Sequence, residues 1–165
     1  MKTKKVAYLG LLIALAFVFS YVEFLLPFHL GIPGAKLGLA NLVIIVALYT
    51  LREKEAFVLS MLRIVLVGFT FGSMSGMLYS FAGGLLSFAA MLLAKRMKLL
   101  SATGVSVLGG IFHNIGQIIL AMFVLETASL LSYLPVLLVV GCVSGVLIGL
   151  LGAMVLRRLP ERSEP

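Results

Sequence analysis

The sequence predicts an all-α, polytopic membrane protein, and its composition and its apolar runs carry this prediction. Of 165 residues, 62% are hydrophobic and 12% are charged, and the mean hydropathy is +1.20. Soluble domains carry about 25% charged residues, so this chain lacks the polar groups needed to face water on all sides. Soluble catalysis, nucleic-acid recognition and a disulfide scaffold are therefore disfavoured, and the single cysteine has no partner for a disulfide.

Charge clusters and Gly or Pro breaks divide the chain into six apolar runs. Most are near the ~20 residues that an α-helix needs to cross ~30 Å of hydrocarbon. We therefore expect one transmembrane domain over residues 1–165. Its six helices are predicted at about residues 6–26, 37–51, 54–71, 74–94, 101–125 and 132–156.

The basic residues indicate the orientation of these helices. Eleven of the 13 Lys and Arg residues fall at the two termini or in alternate loops, which the positive-inside bias assigns to the cytoplasm. They are Lys2, Lys4, Lys5, Arg52, Lys54, Lys95, Arg96, Lys98, Arg157, Arg158 and Arg162. We therefore predict a multi-pass protein of the cell membrane with both termini inside.

Small residues recur at four-residue spacing on three of the predicted helices. In lipid, such residues allow helix backbones to approach closely. The stripes are Gly141, Gly145, Gly149 and Ala153 on the sixth helix, Gly76, Ser80 and Gly84 on the fourth, and Ala7, Gly10 and Ala14 on the first. Packing within the bundle and docking of another membrane subunit both fit this pattern, and docking is favoured most on the first helix.

Polar residues at membrane depth locate the candidate binding site, because each is costly to insert. Counting along the predicted helices places them in the middle or outer half, which favours a cavity open to the outside over a through-pore. The predicted substrate-binding residues are Lys36, Asn41, Arg63, Tyr79, His113, Asn114 and Gln117. Glu23 lies at a similar depth and is a possible ion-pair partner of Arg63.

Arg63 is the most informative of these residues, since a mid-span guanidinium requires a partner. An ion pair with Glu23 and a role as an anion ligand are both open, because Arg can donate two hydrogen bonds to a carboxylate or phosphate. The second apolar run is only ~22 Å long, so it is too short to span alone, and its Pro33-Gly34 turn is expected to help line the cavity. Lys36 and free N–H groups there suit an anionic ligand, although a lysine reaching the interface is an alternative.

His113 and Gln117 share one face of the fifth predicted helix, with Asn114 beside them. Hydrogen bonds to a ligand and hydrogen bonds between helices both explain this group. Metal binding is not predicted, because no second His, Cys or Asp stands at ligand spacing. No P-loop motif is present, and the six acidic residues are all Glu, scattered singly. We therefore expect neither enzymatic activity nor a cofactor.

Four segments carry a resemblance to a known family. They are 33–41 (PGAKLGLAN), the Leu62-Arg63 step, 75–84 (SGMLYSFAGG) and 109–117 (GGIFHNIGQ). With these motifs the chain resembles the bacterial family labelled "Gx transporter" or "heptaprenyl diphosphate synthase component I", over nearly its whole length. That family is in turn similar to the substrate-binding S components of energy-coupling factor (ECF) transporters, which are six-helix membrane proteins that bind a vitamin-like solute in their outer half.

The resemblance implies an S-component-like bundle whose first helix docks a transmembrane coupling subunit driven by cytoplasmic ATPases. The expected function is therefore the substrate-binding subunit of an energy-coupled uptake transporter for a small anionic or amphipathic solute. One alternative is a noncatalytic membrane subunit associated with a heptaprenyl diphosphate synthase, and another is a scaffold subunit of a membrane redox complex. The missing carboxylate cluster argues against the chain itself being the synthase.

Overall fold

The computed structural model describes residues 2–26, 38–98 and 100–159, and all regular structure in these ranges is helical. The helix ends lie within four residues of the predicted ranges. In chain order the helices are α1 (Lys2–Leu25), α2 (Leu39–Thr50), α3 (Glu53–Thr70), α4 (Met74–Met97), α5 (Ala102–Val124) and α6 (Leu134–Arg158), with a 3₁₀ segment at Ala128–Tyr133.

Local sequence explains several of these boundaries. The hydroxyls of Ser73 and Ser101 accept hydrogen bonds from the backbone N–H groups of Gly76 and Gly104, and so cap the N-termini of α4 and α5. α4 ends at Lys98, which adopts the left-handed conformation with φ 55°. These caps satisfy N–H groups that the first helical turn leaves without partners.

The prediction of six membrane-spanning helices is wrong for two of them. Within the described residues, four helical segments are long and apolar enough to span: Lys5–Leu25, Met74–Met97, Ala102–Val124 and Ala128–Arg158. The twelve residues of α2 extend only about 18 Å. The 18-residue α3 carries Glu53, Lys54 and Glu55 in its first turn and Arg63 near its middle, so it is too charged to count as a span.

Successive helices run in opposite directions. We call the end where α1 begins and α6 ends the terminal end, and the opposite end the distal end. At the terminal end Lys5 Nζ lies 2.5 Å from Glu55 Oε1, and Arg96 binds Glu53 with its Nε 3.1 Å from Oε1. These pairs connect the start of α3 to the start of α1 and the end of α4.

Helices α4, α5 and α6 pack with their backbones in close contact. A Cβ placed on Gly83 would lie 2.6 Å from the carbonyl oxygen of His113, and one on Gly116 would lie 2.8 Å from that of Ala82. On the other side of α5, a Cβ on Gly145 would lie 2.6 Å from the Cα of Val107. Only glycine permits these approaches.

Helices α1, α2 and α3 pack through side chains instead. Val43, Ile44 and Ile45 of α2 are almost fully buried, as is most of the rest of that helix. At the distal end the ring of Phe71 contacts three aromatic rings of α1, with centroids 5.2–5.4 Å apart: Phe17, Tyr21 and Phe24.

Large apolar side chains cover much of the outer surface, most continuously on α1 and α6. On α1 they include Val6, Leu11, Leu15 and Val18, and on α6 they include Val139, Val143, Leu147 and Leu150. Exposure of so large an apolar surface to water is unfavourable, whereas the same surface can face lipid tails. Together with the four long apolar helices, this surface indicates a multi-pass membrane protein.

Candidate functional site

A cavity of about 440 Å³ lies in the distal half of the bundle, between the α1–α3 group and the α4–α6 group. All six α-helices contribute to its walls. The polar lining residues are Ser20, Glu23, Asn41, Arg63, Ser73, Ser80, His113, Asn114 and Ser144. Its volume is in the range of sites that hold small molecules, which is about 300–1,000 Å³.

Arg63 presents a buried cation to this cavity. Its Nε is shielded from solvent and has no hydrogen-bond partner. The ion pairs among the described residues are Lys5–Glu55 and Arg96–Glu53, so Arg63 belongs to neither. A guanidinium in this state is suited to bind a carboxylate or phosphate group.

Glu23 lines the same cavity, where its charge attracts that of Arg63 without a direct ion pair. Its Oε1 accepts a hydrogen bond of 2.6 Å from the backbone N–H of Gly38, the residue that caps the N-terminus of α2. The carboxylate therefore occupies part of the helix start where the sequence suggested an anionic ligand. Gly38 itself has φ 74°, a left-handed conformation that glycine adopts without strain.

Asn114 has a structural partner inside the bundle. Its Nδ2 donates a 2.6 Å hydrogen bond to the backbone oxygen of Leu137 on α6, and the side chain is buried. The amide nitrogen also lies against Gly141, where a Cβ would approach within 2.8 Å. For Asn114 the structure therefore shows a hydrogen bond between helices, which was one of the two interpretations of the polar group on α5.

The predicted binding residues divide into three groups. Asn41, Arg63, His113 and Asn114 all line the cavity, as does Glu23. Tyr79 and Gln117 are half-buried but do not line it, and Gln117 packs against Gly83 on α4. Lys36 and the Pro33-Gly34 turn lie outside the described residues, so their predicted roles remain predictions.

The small-residue stripes also have different surroundings. Gly141, Gly145 and Gly149 face α5, whereas Gly84 meets Ile64 of α3. Gly76 and Ser80 line the cavity, and Ala153 is half-buried. In contrast, Ala7, Gly10 and Ala14 are exposed on α1, and a Cβ on Gly10 would meet nothing within 4 Å. The α1 stripe therefore makes its contacts outside the described bundle, with lipid or with another protein.

Sequence reasoning missed Ser20 and Ser144 as lining residues. Ser20 lies three residues before Glu23, and Ser144 lies three residues after Gly141, so each shares a helix face with a residue that had been noted. Both hydroxyls donate within their own helices, Ser20 to the oxygen of Ala16 at 2.9 Å and Ser144 to that of Gly141 at 3.3 Å. Each keeps acceptor capacity toward the cavity.

Among the described residues, no three His, Cys, Asp or Glu side chains lie close enough together to hold a metal ion. The cavity instead combines one guanidinium, one carboxylate, amides, hydroxyls and an imidazole. Such groups can bind and orient a polar solute.

Comparison with known families identifies the chain. The model of the family described as heptaprenyl diphosphate synthase component I matches residues 12–155. The chain belongs to this family. No curated protein and no solved structure gives a significant match to it.

Proposed function

We propose that the protein is a noncatalytic solute-binding membrane protein that serves as the S-component-like, substrate-binding subunit of an energy-coupled bacterial uptake transporter. The observation that carries this proposal is the unpaired guanidinium of Arg63 on the wall of a 440 Å³ cavity. A buried cation without a partner is costly, and a solute with an anionic group would offset that cost. The cavity therefore suits a small molecule that carries a carboxylate or phosphate.

Identification of the bound solute tests this proposal directly. The protein is purified from membranes in mild detergent, the solute is extracted and identified by mass spectrometry, and its affinity is measured by calorimetry. Replacing Arg63 by Gln should weaken binding about ten- to a hundredfold, because a charge-assisted contact of about 1.5–3 kcal/mol is lost.

Tyr79→Phe provides the control, since Tyr79 lies on the part of α4 that borders the cavity but does not line the cavity itself. It should bind the solute like wild type. If Arg63→Gln and His113→Leu both fold and retain wild-type affinity, the solute does not bind in this cavity.

Energy coupling is assigned to partner subunits, because the sequence has no nucleotide-binding motif. We expect the purified chain in vesicles to bind the solute without concentrating it. Gly10 and Ala14 are exposed on α1, where small residues would admit a coupling subunit. The double variant Gly10→Leu/Ala14→Leu should keep solute affinity and lose co-purification of that subunit. Concentrative uptake by the chain alone would contradict this proposal and favour a secondary carrier.

The orientation that this function requires places the cavity toward the outside and the terminal end in the cytoplasm. Cysteine labelling tests this in a Cys142→Ser background. A cysteine at Met97, which is exposed at the end of α4, should resist a membrane-impermeant maleimide in intact cells and react after lysis. Labelling of this position in intact cells would show that the orientation is the opposite of the one predicted.

The family description favours a second candidate, a noncatalytic membrane subunit of a heptaprenyl diphosphate synthase. In that case the chain should co-purify with a soluble prenyl diphosphate synthase from the same organism and raise its activity at the membrane. The Arg63→Gln variant separates the two candidates, because the transporter role requires the cavity and synthase recruitment does not.

A further inference from the structure

The cavity holds two opposite charges that do not neutralise each other by direct contact. Arg63 and Glu23 both line it, and neither belongs to an ion pair among the described residues. We propose that the ligand is a small zwitterion, with a carboxylate or phosphate bound by Arg63 and an ammonium group bound by Glu23. This inference rests on the proposed solute-binding function and specifies the substrate class.

One of the two charged groups is held in place before any ligand enters. Glu23 is fixed through Oε1 by the 2.6 Å hydrogen bond from Gly38 N–H, and its other oxygen makes no hydrogen bond within the described residues. The Nε of Arg63 is shielded from solvent without a hydrogen-bond partner, and the residue as a whole is partly buried. A ligand therefore encounters a preformed acceptor in Glu23 and an unsatisfied donor in Arg63.

Charge balance distinguishes the possible ligand classes. No other described residue that lines the cavity is Asp, Glu, Lys or Arg, so the formal charges of Arg63 and Glu23 cancel. A simple anion would satisfy Arg63 but would bring a second negative charge near Glu23. A simple cation would satisfy Glu23 and be repelled by Arg63. A zwitterion satisfies both, and the low dielectric of the bundle strengthens both attractions.

The remaining lining groups suit the body of such a molecule. Phe24, Val67 and Phe71 provide an apolar wall next to the two charges. Asn41, Ser73 and Ser80 offer hydrogen bonds that carry no net charge. The site therefore has polar anchors at defined positions and apolar surface between them, as small-molecule sites generally do.

Matched probes test the assignment on the full chain in detergent. The probes are the standard amino acids with uncharged side chains, their N-acetyl derivatives, which keep only the negative charge, and their amides, which keep only the positive charge. Phosphoethanolamine, inorganic phosphate and ethanolamine form a corresponding phosphate series. Thermal unfolding with each probe ranks binding, and calorimetry gives affinities for those that stabilise the protein.

We expect at least one zwitterion to bind at least tenfold more tightly than both of its single-charge relatives. Glu23→Gln should weaken binding of that zwitterion at least tenfold and leave binding of the N-acetyl or phosphate form unweakened. Arg63→Gln should also weaken binding of the zwitterion at least tenfold, but it should leave binding of the amide or amine form unweakened. Glu126→Gln, which removes an exposed carboxylate at the distal end, should change none of these affinities.

Two results would overturn the zwitterion assignment. One is an N-acetyl derivative or inorganic phosphate that binds as tightly as the zwitterion, and the other is the absence of stabilisation by every zwitterion tested. If a single-charge anion binds and requires Arg63, solute binding stands and only the ligand class is wrong. If the solute that co-purifies is retained equally by Arg63→Gln, the proposed function fails as well.

Discussion

The two halves of the bundle are built on different principles. Helices α4, α5 and α6 contact each other through glycines, and their interiors contain no Asp, Glu, Lys or Arg between residues 74 and 94, 102 and 124, or 134 and 156. Helices α1, α2 and α3 pack through large side chains and supply both charges of the cavity. One half is therefore a frame of closely packed backbones, and the other half carries the charged groups that the proposed function uses.

The frame can be rigid because backbone-to-backbone contact leaves little room for adjustment. A glycine contact that meets a neighbouring backbone cannot relax by a change of rotamer, whereas a side-chain contact can. Among the described residues, this frame contributes only His113, Asn114 and hydroxyls to the polar lining of the cavity. Under the proposed function, ligand specificity would depend on how the α1–α3 half holds Arg63 and Glu23 opposite this frame.

The strongest test of the comparison is to add one methyl group to each half. Gly145→Ala should destabilise the protein by about 1–3 kcal/mol, because its Cβ would lie 2.6 Å from the Cα of Val107 and no side chain can yield. Gly10→Ala is the matched control, since its Cβ meets nothing within 4 Å. Thermal unfolding in detergent measures both. Equal midpoints for the two variants would show that α5 and α6 are not held as described.

A second test separates structural from recognition residues on the cavity wall. Asn114→Ala removes the bond to Leu137 and should cost up to about 1.7 kcal/mol of stability, the upper end for hydrogen bonds between membrane helices. Arg63→Met removes a charge that makes no hydrogen bond or ion pair among the described residues and should cost less stability than Asn114→Ala, while solute binding is lost. Unfolding midpoints and binding assays on the same samples provide the comparison. A large loss of stability in Arg63→Met would mean that Arg63 has a structural partner.

The smallest expected effect is at the terminal end, where Glu53 and Arg96 connect the two halves. The hydrogen bond from Arg96 holds the pKa of Glu53 below its ordinary value. A lowered carboxyl pKa stabilises the fold above the unfolded-state pKa, and this contribution is lost as the pH falls through the lowered value. Glu53→Gln should therefore lower the unfolding midpoint slightly at pH 7 and not at all in strong acid. Because both side chains are solvent-accessible, added salt should reduce the difference.

Glu126→Gln serves as the control for this pH series, since Glu126 is exposed and lies far along the chain from the terminal end. It should show no pH-dependent difference from wild type. A Glu53 variant that matches wild type at every pH would show that the pair contributes nothing.

Hydropathy and charge predicted helix ranges whose ends lie within four residues of those observed, and they drew attention to Arg63, which lies on the cavity wall. They could not predict how each helix is rotated about its axis. In a membrane the face toward lipid is as apolar as the face toward the core, so periodicity does not distinguish them. For this reason Gln117, which was grouped with His113 by spacing, packs against Gly83 instead of lining the cavity.

The number of spanning helices was overestimated for a related reason. Apolar length alone does not show whether a helix is surrounded by lipid or by protein. α2 is the most enclosed helix of the bundle, and α3 carries charges that are satisfied by neighbouring helices at the terminal end. The polar partners of both helices are distant in sequence, so only the three-dimensional structure shows these contacts.

The enclosure of α2 has a consequence for how the protein is made. Its two ends are completed by charged side chains from other helices: Glu23 accepts the N–H of Gly38, and Lys95 Nζ donates a 2.6 Å hydrogen bond to the oxygen of Leu48. Lys95 is synthesised 47 residues after Leu48. During translation α2 therefore leaves the ribosome as a segment too short to span, with one end still unsatisfied. The lysine that completes the C-terminal end of α2 is therefore available only after the end of α4 has been synthesised.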